Sequence, residues 1–291
     1  MLLRRIGFFL LTNFLIIFTI SVITNLLGLR SYLGGSGLNY YALLFLCAIW
    51  GFAGSLISLV LSKSIAQSSM GVNLVSFRNP GEFKSILMMT HELSQKARIP
   101  MPELGVFVSP EVNAFATGAS QDDSLVAVST GLLQTMNAEE VKGVLAHEIS
   151  HIANGDMVTM TLIQGTVNTF SLFLSRILGF VIGRGVSRDL EYMVRSLITF
   201  VLDILFSLLG SLVVAYYSRQ REFRADYGGA KLAGKAGMIA ALRRLQKSYK
   251  PLDKRGDSIA TLKISGERIS LFSTHPPLSE RIAALQRAQL R

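Results

Sequence analysis

Cysteine is almost missing from this 291-residue chain. The single Cys47 lies within an apolar run, so no intramolecular disulfide can form and no cysteine-based metal site exists. Histidine is nearly as scarce. Only His91, His147, His151 and His275 are present, so metal ligands must come from these and from carboxylates. Charge is sparse too: 16% of residues are charged against 50% hydrophobic, and the mean hydropathy is +0.42. That balance lies outside the ordinary soluble range and places the chain in a membrane. There are no long repeats, no low-complexity tract and no phosphate-cradling glycine loop, which argues against a nucleotide-driven machine. A net charge of +10 invites a nucleic-acid reading. No aromatic-interleaved basic platform accompanies it, so nucleic acid is not an expected partner, whereas an anionic bilayer surface is.

What the chain has instead is long apolar stretches, four of them. Ile6–Leu29 and Leu38–Leu61 carry no charge, and each exceeds the roughly 20 residues that cross a hydrocarbon core. Arg4 and Arg5 give the first the look of a signal peptide, but its run is too long and no small-x-small cleavage site closes it. An uncleaved hairpin, joined through Ser31–Gly37, is the better reading. Met157–Gly183 contains Gln164, Asn168 and Arg176, and Ser196–Tyr217 contains Asp203. These two are either further spans or buried interfacial helices. If the chain turns near Leu190, Arg176 and Asp203 fall at one depth of an antiparallel pair, where each could compensate the other.

Residues 218–291 hold 16 basic and 6 acidic residues, so the whole excess positive charge follows the fourth apolar stretch. Basic flanks favour the cytoplasmic side. With four spans, both termini and residues 63–156 share that side.

Within 63–156 stands His147-Glu148-Ile149-Ser150-His151. Asn137 with Glu140 forms a capping-box pattern, Val141, Val144, Leu145, Ile149 and Ile152 make an apolar stripe, and Asn154-Gly155 supplies a stop. The pattern predicts a helix of roughly four turns with His147 and His151 on one face. Two imidazoles so placed can close on one metal, and Glu148 beside them suits a general base. His91-Glu92-Leu93-Ser94-Gln95 begins alike but lacks the second histidine, and reads as an ordinary helix surface.

The third ligand is less plain. After the last apolar stretch, Glu222 and Asp226 are again four apart on a predicted helix. Glu222 could complete a His₂Glu zinc site while Asp226 accepts the free ring N–H of a ligand histidine. Equally, both could be an exposed acid pair laced to Arg219, Arg221 and Arg224. Spacing alone leaves both readings open.

The combination of His147-Glu148-Ile149-Ser150-His151 with Arg221-Glu222-Phe223-Arg224-Ala225-Asp226, separated by two apolar segments, resembles the HtpX family of membrane zinc endopeptidases. Asn113-Ala114-Phe115-Ala116-Thr117-Gly118 and His275-Pro276-Pro277-Leu278-Ser279-Glu280-Arg281 match that family as well, and the similarity spans essentially the whole chain. It implies one zinc ion held by His147, His151 and Glu222, with Glu148 as catalytic base. It implies an α+β, mainly α-helical fold: an integral membrane protein with a HEXXH, gluzincin-like catalytic domain. Residues 1–62 would be the hairpin, 63–156 and 218–291 the two parts of the catalytic domain, and 157–217 two further apolar helices. Misfolded membrane proteins in the bacterial inner membrane are the implied substrates, cut on the cytoplasmic side, and the chain itself could be cut. A processing protease for lipidated peptides, like the related prenyl endopeptidases, and a non-catalytic membrane scaffold are the alternatives.

Leu104–Val108, Asn113–Thr117 and Leu125–Ser129 are short β-branched or aromatic runs between turn residues, and predict a small sheet just before the active helix. A peptide can add to an exposed sheet edge. By resemblance Asn113, Ala114 and Phe115 would line that edge, although Phe115 could equally be a core residue. His275 precedes two prolines that can open a helix from Leu278. The resemblance points it into the cleft to stabilise the oxyanion, with Arg281 nearby on the substrate side; otherwise it is a loop histidine. Asp253–Phe272 reads as a mobile loop that could cover the cleft.

Overall fold

A computed structural model describes residues 39–248 and 273–290. The first apolar stretch, the turn at 31–37 and the loop at 253–272 lie outside the described residues. The fold is mainly helical with one small sheet, as expected. The chain divides into two compact units, one of residues up to Ile57 with Thr159–Val214, the other of Ser58–Val158 with Ala215 onward.

The first unit takes the opening part of α1 (Tyr40–Met70), most of α5 (Asp156–Gly183) and the amino-terminal half of α6 (Arg188–Ala233). Among the described residues these three helices are long and apolar enough to cross a membrane. Cys47, Phe173, Ile177 and Phe180 form the unit's buried cluster, with Tyr40 set edge-on to Phe173 at 5.2 Å between centroids. At Gly51 a Cβ would stand 2.6 Å from the backbone nitrogen of Thr169, so only glycine lets α1 and α5 approach this closely. The outer face of α6 exposes Leu197, Phe200, Val201 and Ile204, a surface suited to hydrocarbon. Arg176 and Asp203 lie 3.5 Å apart, and Ser175 also donates to Asp203. The turn before α6 occupies residues 184–187, not the vicinity of Leu190. Asp189 and Glu191 already belong to the first helical turn, where acids are favoured by the helix dipole.

Two helices outrun the apolar stretches that announced them. α1 continues nine residues past Leu61, and α6 runs 46 residues without a break from the polar turn, through the fourth apolar stretch and on past Asp226. No proline or cap interrupts Tyr217–Arg224, so hydropathy changes there while backbone geometry does not.

In the second unit, β1 (Asn73–Val75), β2 (Glu103–Phe107), β3 (Ala114–Gly118) and β4 (Ser124–Ser129) form a sheet of order β1-β2-β4-β3. β2 and β4 run parallel, and the two outer pairings are antiparallel. Three of the strands are those the sequence predicts; β1 is additional. Both faces are covered. Leu104, Val106, Ala114, Ala116, Val126 and Val128 join the main core with α2 (Lys84–Ala97) and α4 (Ala138–Asn154). Phe107, Phe115, Leu125 and Ala127 pack on Ala66 and Met70 of α1. The remaining helices are α3 (Thr130–Thr135), α7 (Lys235–Ser248) and α8 (Leu278–Arg287), the last opened by Pro277 as expected.

Candidate metal centre

Helix α4 forms for the reasons its sequence suggests. Asn137 Oδ1 accepts from the Glu140 N–H at 3.0 Å, and Glu140 Oε2 accepts from the Asn137 N–H at 2.9 Å, closing the capping box. The helix ends at Gly155 in the left-handed region, φ 62°, with its N–H turned back to the carbonyls of His151 and Ile152. Between these caps the stripe from Val141 to Ile152 is buried, so the opposite side of the same turns is held in place.

That side presents His147 and His151, whose Nε2 atoms stand 3.1 Å apart. Glu222 of α6 meets both: Oε2 lies 3.4 Å from His147 Nε2, and Oε1 lies 3.3 Å from His151 Nε2. One donor atom from each of the three falls within 4.8 Å of the others. Neither oxygen of Glu222 has a well-formed hydrogen bond among the described residues, although the side chain is fully buried. A buried carboxylate left this way is costly. Two imidazole nitrogens and one carboxylate converging on a common point fit a cation such as zinc. The exposed reading of Glu222 and Asp226 does not survive: they are 0% and 1% exposed, and although Arg221 Nε lies 3.8 Å from Glu222 Oε1, Arg219 donates to the Ser273 carbonyl at 2.9 Å.

Each histidine is held from behind by a carboxylate. Asp226 Oδ1 lies 3.0 Å from His147 Nδ1, the arrangement expected of Asp226. Asp156, which sequence reasoning missed, lies 2.7 Å from His151 Nδ1. Its only signal was position, since a chain reversed by Gly155 returns its next residue toward the last helical turn. Arg281 corrects an expectation. Far from facing substrate, it is completely buried, with Nε and Nη2 forked onto Asp226 at 2.8 and 2.7 Å and Nη1 3.3 Å from Glu222. A guanidinium is the natural partner for two enclosed carboxylates.

The electrostatics follow from this enclosure. Burial opposes charge on His151, but Glu222 and Asp156 outweigh it and raise its pKa to about 9. Burial and Arg281 oppose charge on His147, yet Asp226 and Glu222 still leave it raised. Burial would raise both acids. His275 and His151 instead hold Glu222 well below the carboxylate range, and Arg281 holds Asp226 at about 2. The cluster therefore demands positive charge at its centre, which protons or a divalent cation can supply.

Glu148 is 4% exposed and occupies the same stretch of α4. His275 is partly exposed, its Nδ1 3.1 Å from Glu222 Oε2. Asn113, Ala114 and Phe115 are buried, and Phe115 belongs to the core against Phe107. β3 is an edge strand in sheet order, so what it offers at this edge is backbone. His91 is partly exposed on α2, within 2.9 Å of Gln95 and edge-on to Phe77, while Leu93 and Ser94 of the same segment are buried, so the segment is not wholly a surface.

Comparison with known proteins shows the family. Residues 80–289 match Peptidase family M48. A protease HtpX homolog of Bacillus velezensis is 51% identical over 294 residues, covering 97% of this chain and 99% of that protein. Another, from Nitrosomonas eutropha, is 47% identical over 295 residues and covers 98% and 100%. The crystal structure of S. mikatae Ste24p shares the fold, with a TM-score of 0.57 at 19% identity over 91% of this chain and 66% of that one. The chain belongs to peptidase family M48, among the HtpX-type membrane proteases.

Proposed function

We propose that the chain is a zinc-dependent endopeptidase whose metal is held by His147, His151 and Glu222. The observation that carries this reading is the convergence of those three side chains from two helices, 71 residues apart between His151 and Glu222. A His₂-carboxylate set suits zinc and leaves a coordination position for the reaction. When bound, zinc would polarise the scissile carbonyl and bring a water's pKa towards ~7.

The chain's own groups do the rest. Glu148 takes the proton of the attacking water and passes it to the leaving amine, so one carboxylate serves both halves of the reaction. Asp226 keeps the His147 ring aimed at the centre. His275, beside Glu222 and partly open to solvent, donates to the oxygen that gains negative charge. The backbone at the β3 edge, from Asn113 to Phe115, aligns an extended peptide through main-chain hydrogen bonds.

The substrates we infer are misfolded or damaged membrane proteins, cut on the cytoplasmic side, and the division into a hairpin, a split catalytic domain and two intervening membrane helices belongs to the same proposal. Support comes from the basic surplus after residue 217 and from α6, whose apolar half leads without a break into the segment that carries Glu222. The test compares detergent-purified wild type with Glu148→Gln and His147→Ala in metal analysis and casein cleavage. Glu148→Gln should bind zinc and cut nothing, whereas His147→Ala should lose both. Normal cleavage by Glu148→Gln would sink the reading.

A further inference from the structure

Asp156 is the first residue of α5, a position where an acid is ordinarily a solvated partner of the helix dipole. Here it is 2% exposed, and its Oδ2 takes the His151 Nδ1–H at 2.7 Å. The reversal at Gly155 makes that reach feasible, and Gln121 secures the end of α4 by donating to the carbonyl of Ala153 at 3.0 Å. The pairing of His147 with Asp226 is the same device, built from a residue of a different helix.

We propose that Asp156 is a positioning residue for the second histidine ligand. By accepting from Nδ1 it fixes the ring tautomer and leaves the Nε2 lone pair facing His147 and Glu222, and its charge makes that nitrogen a better donor to a cation. The inference rests on the metal site proposed above. It also ties the ligand to the opening turn of a candidate membrane helix, so the start of α5 helps shape the metal centre.

The experiment measures zinc affinity of the full-length, detergent-purified protein by competition with a chromogenic chelator, with the melting temperature of the metal-free form recorded alongside. Asp156→Ala should weaken zinc binding about 10- to 100-fold. Asp156→Asn, which keeps an acceptor but not the charge, should fall between it and wild type while its metal-free form still melts cooperatively. Unchanged affinity in both variants overturns the proposal, as does a loss confined to variants whose metal-free form no longer shows a melting transition. His147→Ala in the same assay separates the two readings. If it too kept wild-type affinity, the metal site itself would be wrong; if it alone lost zinc, only the role of Asp156 would fall.

Discussion

Both units of this protein contain an arginine facing an aspartate, and the two pairs are built differently. In the membrane-helix unit, Arg176 and Asp203 approach to 3.5 Å with side chains 39% and 31% exposed. In the unit that holds the sheet and the histidine cluster, Arg281 and Asp226 make two contacts of 2.7 and 2.8 Å with side chains 0% and 1% exposed. The first pair makes two isolated charges tolerable among apolar helices. The second is a fork that also reaches Glu222 and, through Asp226, His147. Its geometry is therefore tied to chemistry, while that of Arg176 and Asp203 only has to cancel charge.

This difference sets the expected order of mutational effects. Arg281→Ala should be the most damaging, because it strands two enclosed carboxylates; removing one partner of a buried pair costs about 3–5 kcal/mol. Thermal melting in detergent should show a large drop, and Arg281→Lys should recover only part of it, since an ammonium lacks the fork. A variant melting like wild type would contradict the buried network. Leu145→Ala tests ordinary packing beneath the histidines and should cost about 2–5 kcal/mol. The membrane pair calls for a cycle. Arg176→Leu alone should destabilise more than Arg176→Leu combined with Asp203→Leu, and a double variant whose loss equals the sum of the two single losses would mean the two charges are independent. Asn137→Ala should cost only about 1 kcal/mol, read as a small melting shift, through loss of the α4 cap. Adding zinc to the metal-free protein should raise the melting temperature of wild type and leave His147→Ala unchanged, because only a binder of the folded state stabilises it.

How much of this was legible beforehand depended on distance along the chain. The capping box at Asn137 and Glu140, the glycine stop at 155 and the three strands before α4 are local patterns, and each lies where its residues suggest. Strand β1 escaped notice because three residues, Asn73–Val75, carry too little alternation to register. The unbroken α6 escaped for a different reason. A change from apolar to charged residues after Tyr217 looks like a boundary, yet helix propensity continues through it. Arg281 was misplaced because an arginine in a surface-like helix motif gives no hint of complete burial; only its two carboxylate partners, 55 and 59 residues upstream, explain it.

By itself the sequence determined the membrane setting, the helix bearing His147 and His151, and the candidate base Glu148, because hydropathy and the helical repeat act between near neighbours. Only the tertiary structure decided that Glu222 and Asp226 are buried beneath those histidines, that Arg281 holds the acids, and that Asp156 returns to His151. Those are contacts between side chains that packing, not periodicity, brings together. A buried charge takes its meaning from whatever encloses it.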